Sequence, residues 1–313
     1  MESEFIKDLF SGVSHLIKPH WEIDHICYRT NSLEEYEEVK SRYDSLGELL
    51  IESPIGGRPI ATFELNKAIK SLHGYTKLVE VPAPKTGKIT ESGYEHIEVV
   101  IDNTFEELIK KDPNISWDDR ALKKSLNPEL EAQFGKVNIK FHYHALDCII
   151  ALEKKQVALA FIKELSSFSD YSPLVSGTIP LGIDIKSSDL DVLMVTNDFD
   201  QLAAKINIEF PAAKIQIREN NLVANFTYQN LPIEIYAEEK HPLRQKAHRH
   251  LRVENRIIKL LGKDFKQRII QHKMDGLKTE PAFGKELNLK NSYDDLLEMY
   301  FLSDHELLER IRV

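Results

Sequence analysis

Two aspartates, Asp189 and Asp191, stand in an otherwise apolar run, DLDVLMV (189–195). Alternate residues of a β-strand share one face, so a strand here would present both carboxylates together. Such a pair suits Mg²⁺, which prefers oxygen ligands and keeps coordination positions for substrate phosphates. Asp189 and Asp191 are therefore candidate ligands of a catalytic magnesium ion. The alternative is a strand end that carries two solvated acids.

Two further features support a phosphate-handling site. Glu234 lies in the apolar segment LPIEIYA (231–237) and could supply the third carboxylate of a two-metal site. Gly177 and Thr178 form a small-residue turn that ten residues separate from Asp189, where backbone amides and a hydroxyl could approach nucleotide phosphates. We expect Asp189, Asp191 and Glu234 to be the catalytic acids.

Basic residues are concentrated just beyond this region. Residues 240–278 hold 12 Lys and Arg, and Arg244 and Lys278 are candidates for contacting a nucleoside triphosphate. A solvated basic helix face is the commoner explanation for such a run. His248 and His250 lie two apart on a predicted helix and face different ways, so we interpret them as structural.

Together these features resemble the nucleotidyltransferase superfamily of the polymerase-β type. Its pattern is glycine with a small hydroxyl residue, about ten residues, Asp-hydrophobic-Asp and a later acid; Thr178 stands where Ser or Gly is usual. The segments GTIPLGIDIKSSDLDV, IEIYA and GLKTEPAF also resemble an uncharacterised bacterial family of nucleotidyltransferase-like proteins. The resemblance implies a mixed sheet with C-terminal helices, and Mg²⁺ and a nucleoside triphosphate as cofactors. It implies no acceptor.

A second group of candidate ligands lies in the first half of the chain. His25 in DHICY (24–28) and His96 in EHIEV (95–99) occupy matching positions in what looks like an internal repeat. Each copy closes with another strand, which carries Glu80 in the first and His142 in the second. Imidazoles with a carboxylate suit Zn, Fe, Ni or Mn. Buried core histidines are the alternative reading.

The elements that must position these residues follow from the same patterns. Two tandem βαβββ-like units are expected, with a helix over 32–47 that opens at Ser32 with Glu35 at capping-box spacing. A single helix over 145–168 is predicted to bridge the halves. The fold class is therefore α+β, with domains at 1–153 and 154–313.

The first half also resembles the YecM family, a branch of the vicinal oxygen chelate superfamily. The matching segments are DHICYRT, GELLIESPIGGRPIATFEL, LVEVPAPKTGK, GYEHIEVVI, NPEL and GKVNIKFH. The resemblance implies paired βαβββ modules around a metal-holding cleft. By position it implies His25, Glu80, His96 and His142 as ligands, with His142 where the superfamily commonly has Glu. It does not imply a reaction.

Composition and charge limit the partners and the cellular location that the protein could have. The net charge of −9 lies entirely in residues 1–153, which hold 27 acids against 18 Lys and Arg. This acidic balance argues against general coating of nucleic acid. No apolar run approaches the ~20 residues of a membrane span, and the acidic start is unlike a secretory signal. With only Cys27 and Cys148, we expect a cytoplasmic protein without a disulfide scaffold.

Three functions remain open at this point. The first is an Mg-dependent nucleotidyltransferase, fused to a metal-binding vicinal oxygen chelate domain and acting from a nucleoside triphosphate on an unknown acceptor. The second is a metal-dependent isomerase, lyase or oxygenase that acts on a small oxygenated substrate in the N-terminal domain. The third is a non-catalytic ligand sensor or regulatory binding protein.

Overall fold

A computed structural model describes residues 15–71, 73–87, 91–124, 126–134 and 137–311. The chain forms two compact units. The first extends to Leu146 and includes Ser303–His305, and the second comprises Asp147–Leu302 and the residues from Glu306 onward. Among the helices of the described part, none is both long and apolar enough to cross a membrane.

The first unit contains two modules of the same build. The first module consists of β1 (Glu22–Arg29), α1 (Leu33–Asp44), β2 (Gly47–Ile55), β3 (Arg58–Lys70) and β4 (Tyr75–Pro82). The second consists of β5 (Gly93–Val100), α2 (Phe105–Lys111), β6 (Trp117–Asp118), a 3-10 turn (Arg120–Lys123), β7 (Leu130–Phe134) and β8 (Val137–His142). The predicted pair of βαβββ modules is thereby confirmed.

The two modules share one eight-stranded sheet of order β2-β3-β4-β1-β5-β8-β7-β6. Within each module the first and last strands run parallel, β1 with β4 and β5 with β8, and the modules join through antiparallel β1 and β5. The cross-strand pairs at this junction include His25–Glu98, Ile26–Ile97 and Cys27–His96. The junction therefore brings together the matching histidine positions of both repeats.

Side-chain alternation explains why this junction can hold polar groups. Ile26 and Ile97 point into a hydrophobic core with Trp21, Phe105 and Phe141, so the residues beside them on each strand face the opposite side of the sheet. The helices start where the sequence indicates. Ser32 accepts a hydrogen bond from the Glu35 amide at the start of α1, at 3.1 Å.

The second unit begins with helices. These are α3 (Leu146–Glu153), whose first residue belongs to the first unit, α4 (Gln156–Glu164) and a 3-10 helix (Leu165–Tyr171). The prediction of one helix over 145–168 is wrong. The backbone of Lys155 leaves the helical region, with φ −114° and ψ 85°. The break allows α3 and α4 to bury separate apolar faces, which include Leu152 and Phe161.

A mixed sheet and a helical layer complete this unit. The sheet elements are β9 (Leu174–Ser176), α5 (Thr178–Leu181), β10 (Leu190–Val195), α6 (Phe199–Glu209), β11 (Lys214–Arg218), β12 (Asn221–Tyr228) and β13 (Leu231–Glu238). The helical elements are a 3-10 turn (Pro242–Arg244), α7 (Lys246–Met274), α8 (Thr279–Leu287) and α9 (Ser292–Met299), and α10 (Asp304–Ile311) is the last helix of the chain. The expected mixed sheet with C-terminal helices is confirmed.

The strand order of this sheet is β11-β12-β13-β10-β9. Only β10 and β13 run parallel, and the other neighbours are antiparallel. Helix α7 is interrupted at Gly262, whose φ of 82° lies outside the helical region. Its two parts pack with α8 and α9 around Phe265, Phe283 and Leu296. Parallel pairing of β10 and β13 places corresponding residues of these strands side by side.

Candidate functional site

Three acidic side chains converge on the parallel pair of strands in the second unit. Asp191 on β10 pairs with Glu234 on β13 and with Ser176 on β9, and Asp189 lies just before β10. Within the described residues, none of the three carboxylates accepts a hydrogen bond or forms an ion pair. All three line a single cleft of about 1320 Å³. The structure therefore brings together the three acids that were predicted from the sequence.

The small-residue turn lies against these acids. Gly177 has a φ of 76°, and a Cβ atom added there would lie 1.7 Å from Oδ2 of Asp191. Only glycine can occupy this position, because any side chain would both strain the backbone and overlap the carboxylate. Gly177 and Thr178 also line the cleft. The backbone consequently approaches the acids as closely as the sequence pattern suggested.

The acids perturb one another electrostatically. Burial, with the charges of Asp189 and Glu234, raises the pKa of Asp191 to about 8. Burial and Asp189 also raise the pKa of Glu234, while Lys278 lowers it. Carboxylates that destabilise each other in this way favour a bound cation, and three oxygen donors form a suitable set for Mg²⁺.

Basic side chains line the same cleft. Arg244 follows β13 in the 3-10 turn, Lys278 immediately precedes α8, and both are among the lining residues. Lys246 and Arg249 of α7 join them. The cleft therefore offers acids that could hold a cation and bases that could neutralise phosphates.

The structure also places in this cleft Glu254 and Lys273, which the sequence did not single out. His250 and Glu280 line it as well; Glu280 belongs to the segment GLKTEPAF, for which the sequence leaves a substrate contact and a plain turn open. The Nε2 of His250 donates to the backbone carbonyl of Tyr293 at 3.0 Å, and its Nδ1 lies 3.4 Å from Oε1 of Glu280; these contacts are consistent with a structural histidine that also lines the cleft. One signal was available: Glu254 interrupts the apolar stripe of α7 between Leu251 and Ile258.

In the first unit, four residues form a candidate metal centre. Ligand atoms of His25, Glu80, His96 and Glu98 all lie within 4.8 Å of one another. Three of these residues were predicted from the sequence, and Glu98 was not. The described residues contain a second such group, Cys27 with Glu95 and His96, which shares one histidine with the first.

Both histidines are oriented by the acid that precedes them. Nδ1 of His25 lies 3.0 Å from Oδ2 of Asp24, and Nδ1 of His96 lies 2.9 Å from Oε2 of Glu95. A carboxylate on one ring nitrogen leaves the other nitrogen as the ligand and increases its basicity. Nε2 of His25 has no hydrogen-bond partner among the described residues, although it is buried. This arrangement fits a metal ligand.

Glu98 lies at the centre of this group. Its Oε1 lies 3.4 Å from Nε2 of His25, 3.2 Å from Nε2 of His96 and 2.9 Å from Nζ of Lys140. Burial disfavours the imidazolium, but Glu98 and Asp24 together raise the pKa of His25 well above its ordinary value. Burial likewise opposes the charge on Glu98, yet Lys140 and His25 hold its pKa well below the ordinary value. Two nitrogens and two carboxylates suit Zn, Fe, Ni or Mn.

His142, the predicted fourth ligand, lies outside the group of four. Its Nε2 is 3.7 Å from Oδ2 of Asp24 and 4.0 Å from Oε2 of Glu98. The amide of Asn127 is oriented by its Oδ1, which accepts hydrogen bonds from two backbone amides, so its NH₂ group donates to Nδ1 of His142 at 2.7 Å. A neutral imidazole with an accepting Nδ1 carries its proton on Nε2. Nε2 of His142 is buried and has no hydrogen-bond partner among the described residues, whereas Glu98 lies within the group of four.

Strand register explains why Glu98, and not His142, lies in the group of four. Glu80 of β4 pairs with Cys27, which lies two residues after the first histidine. The corresponding position of the second module is Glu98, and its partner on β8 is Lys140. The counterpart of Glu80 is therefore Lys140, two residues before His142.

Comparison with known proteins relates the two halves of the chain to two different families. The profile of the YecM protein family matches residues 3–127, and a domain of unknown function, DUF4269, matches residues 157–299. Protein YecM of Escherichia coli (strain K12) is 32% identical over 146 residues, which cover 42% of this chain and 78% of that protein.

Two solved structures resemble parts of the chain. A structural-genomics protein shares 31% identity, with a TM-score of 0.41, over 49% of this chain and 88% of its own. A cytoplasmic RNA terminal U-transferase shares 16% identity, with a TM-score of 0.32, over 46% of this chain and 45% of its own. These low scores bear on neither activity nor substrate. The identity to the Escherichia coli protein over most of its length is decisive, and through its N-terminal half the chain belongs to the YecM family.

Proposed function

We propose that the C-terminal domain, residues 154–313, transfers a nucleotidyl group from a nucleoside triphosphate to an acceptor. The observation that carries this proposal is the convergence of Asp189, Asp191 and Glu234 on adjacent strands at one wall of a large cleft. In the reaction, an acceptor oxygen forms a bond to the α-phosphorus, the bond to the β-phosphate oxygen breaks, and pyrophosphate leaves.

The chain's own residues have distinct tasks in this reaction. Asp189, Asp191 and Glu234 would hold Mg²⁺, which supplies charge neutralisation for the phosphates and activation of the acceptor oxygen. Gly177 and Thr178 bring backbone amides and a hydroxyl to the same wall, and Arg244 and Lys278 offer positive charge to the triphosphate. An acceptor hydroxyl would release its proton to a carboxylate or to solvent as the new bond forms.

Nucleotide binding and transfer test the proposal separately. Purified protein is titrated with each labelled nucleoside triphosphate in Mg²⁺, and product formation is followed in a cell-metabolite extract as the source of acceptors. We expect saturable binding, and loss of transfer in Asp189→Asn with Asp191→Asn. The matched control is Asp184→Asn, because Asp184 lies in the same loop but pairs with Lys155 at 2.6 Å. The proposal fails if the wild type binds no nucleotide, or if the double variant keeps full activity.

We propose, as a second function, that the N-terminal domain, residues 1–153, binds a divalent transition metal and uses it on a small oxygenated substrate. The support is the group formed by His25, Glu80, His96 and Glu98, with carboxylates that orient both imidazoles. Bound there, the metal would act as a Lewis acid on a carbonyl or enediolate oxygen. The chemistry would be that of an isomerase, lyase or oxygenase.

Elemental analysis tests this second function. Protein reconstituted with Zn, Fe, Ni or Mn should retain one ion per chain after desalting, and His25→Ala with His96→Ala should retain none. His305→Ala is the control, because His305 carries an imidazole that is no member of the candidate group. Failure of every metal to bind the wild type would refute the proposal. We also propose a reducing, cytoplasmic setting, which is supported by the buried Cys27 and Cys148, neither of which is in a disulfide.

A further inference from the structure

Glu254 is a buried acid for which the proposed transfer has no role. It lies on α7 with 3% of its surface exposed, and its Oε1 has no hydrogen-bond partner among the described residues. It nevertheless lines the cleft that contains Asp191 and Glu234. A buried carboxylate oxygen without a donor carries a desolvation cost that a bound donor would relieve.

The basic side chains beside Glu254 make hydrogen bonds with other groups. Nζ of Lys273 donates to the hydroxyl of Thr279 at 3.2 Å. His250 uses Nε2 for the Tyr293 carbonyl and directs Nδ1 towards Glu280. Among the described residues, neither of these neighbours donates to Oε1 of Glu254.

A second acid reinforces the demand for positive charge. Burial first, and then the charge of Glu280, raise the pKa of Glu254 to about 8, against smaller opposing effects of His250 and Lys273. Two acids on one wall favour a cation more strongly than a neutral donor, because a cation relieves their mutual repulsion as well as the desolvation. Tyr293 also lines this cleft, and an aromatic ring attracts a cation that lies over its face.

We propose that Glu254 and Glu280 form a subsite for a cationic amino group of the acceptor. The inference rests on the proposed nucleotidyl transfer and identifies its acceptor as an amine-bearing compound with a hydroxyl to be modified. The phosphates of a nucleoside triphosphate are poor candidates for this wall, because they are anionic and the ionised Glu280 would repel them.

The size and continuity of the cleft support two ligands. Its volume of about 1320 Å³ exceeds the roughly 300–1,000 Å³ usual for a single small-molecule site. Lys273 and Glu280 influence the pKa of both Asp191 and Glu254, so the subsite adjoins the proposed transfer site. An amine held at Glu254 would therefore lie beside a nucleotide held at the three acids.

Calorimetric titration with glucosamine, in the absence of nucleotide, tests the subsite. N-acetylglucosamine is the matched probe without the positive charge. We expect the wild type to bind glucosamine and not N-acetylglucosamine, and Glu254→Gln and Glu280→Gln each to weaken binding by about tenfold or more, as loss of a charge-assisted hydrogen bond requires. Glu239→Gln, which removes an exposed charge lining the same cleft, should bind like the wild type. Circular dichroism checks that each variant is folded.

Several outcomes would overturn the inference. Wild-type protein that does not bind glucosamine, equal binding by wild type and Glu254→Gln, or equal weakening by Glu239→Gln each excludes an amine subsite. So does a Glu254→Gln variant that loses affinity for a nucleoside triphosphate while keeping glucosamine, since the wall would then contact the nucleobase. If glucosamine binds as expected but no nucleotide does, the subsite stands and the proposed transfer falls.

Discussion

Replacing Asp191 with Asn should stabilise the metal-free second unit while it removes activity. The pKa of Asp191 is raised from 3.8 to about 8 by burial, Asp189 and Glu234. A carboxyl whose folded-state pKa is raised costs no stability below its unfolded pKa. Its penalty grows as the pH rises from about 4 and is complete above about 8.

The structure sets the magnitude of this effect. A difference of about four pH units corresponds to roughly 6 kcal/mol at about 1.4 kcal/mol each. That figure is a ceiling, because Asp191 is only partly buried and solvent in the cleft screens its charge. We therefore expect Asp191→Asn to raise the free energy of unfolding by about 2 kcal/mol at pH 9 and by little at pH 4.

Urea unfolding in EDTA at pH 4, 7 and 9 measures the effect. Both tryptophans, Trp21 and Trp117, lie in the first unit, so their fluorescence is an internal control that should not change. Far-UV circular dichroism reports in addition on the second unit. The exposed Asp170→Asn should shift stability by less than about 0.5 kcal/mol. Equal or lower stability of Asp191→Asn at pH 9, or a gain that does not increase with pH, would refute the electrostatic reasoning.

Three further predictions concern single residues. Gly177→Ala should abolish nucleotidyl transfer, because its methyl group would overlap the Asp191 carboxylate; retention of more than about a tenth of the activity in a labelled-nucleotide assay would contradict this. Glu98→Ala should lose the bound metal and His142→Ala should keep it, as measured by elemental analysis, and the reverse would restore the ligand set expected from sequence. Lys140→Met should destabilise the metal-free first unit by about 3 kcal/mol, because Glu98 loses its buried partner, and tryptophan fluorescence during unfolding measures this loss. The same change should increase metal affinity in a metal titration, and weaker metal binding would contradict the reasoning.

The sequence was sufficient to identify site residues where a polar side chain interrupts a regular apolar pattern or recurs in a repeat. Asp189 and Asp191 stand out because acids are costly in a buried strand, and Glu234 stands out for the same reason. The matching histidines His25 and His96 are visible because a repeat places them at equivalent positions. The pairing of β10 with β13 then brings the three acids together.

Other site residues depended on contacts between distant segments. The register of β1 with β5 places Glu98 beside His25, and Asn127 holds His142 by a hydrogen bond to its Nδ1. Neither feature can be read from spacing. The prediction of one helix over 145–168 was wrong because α3 and α4 bury separate apolar faces on either side of a break in the helix. Helix propensity alone does not indicate where such faces pack.

The sequence by itself determined the two-part architecture, the repeated module and the side chains with metal-binding chemistry, because periodicity and residue type are local properties. Only the tertiary structure decided which of those side chains meet. It brought Glu98 into the group with both histidines. It also showed that Glu254, which interrupts the apolar stripe of α7, lines a cleft and has a carboxylate oxygen without a hydrogen-bond partner among the described residues. Strand register and helix packing set these distances, and both are consequences of how the whole core is buried.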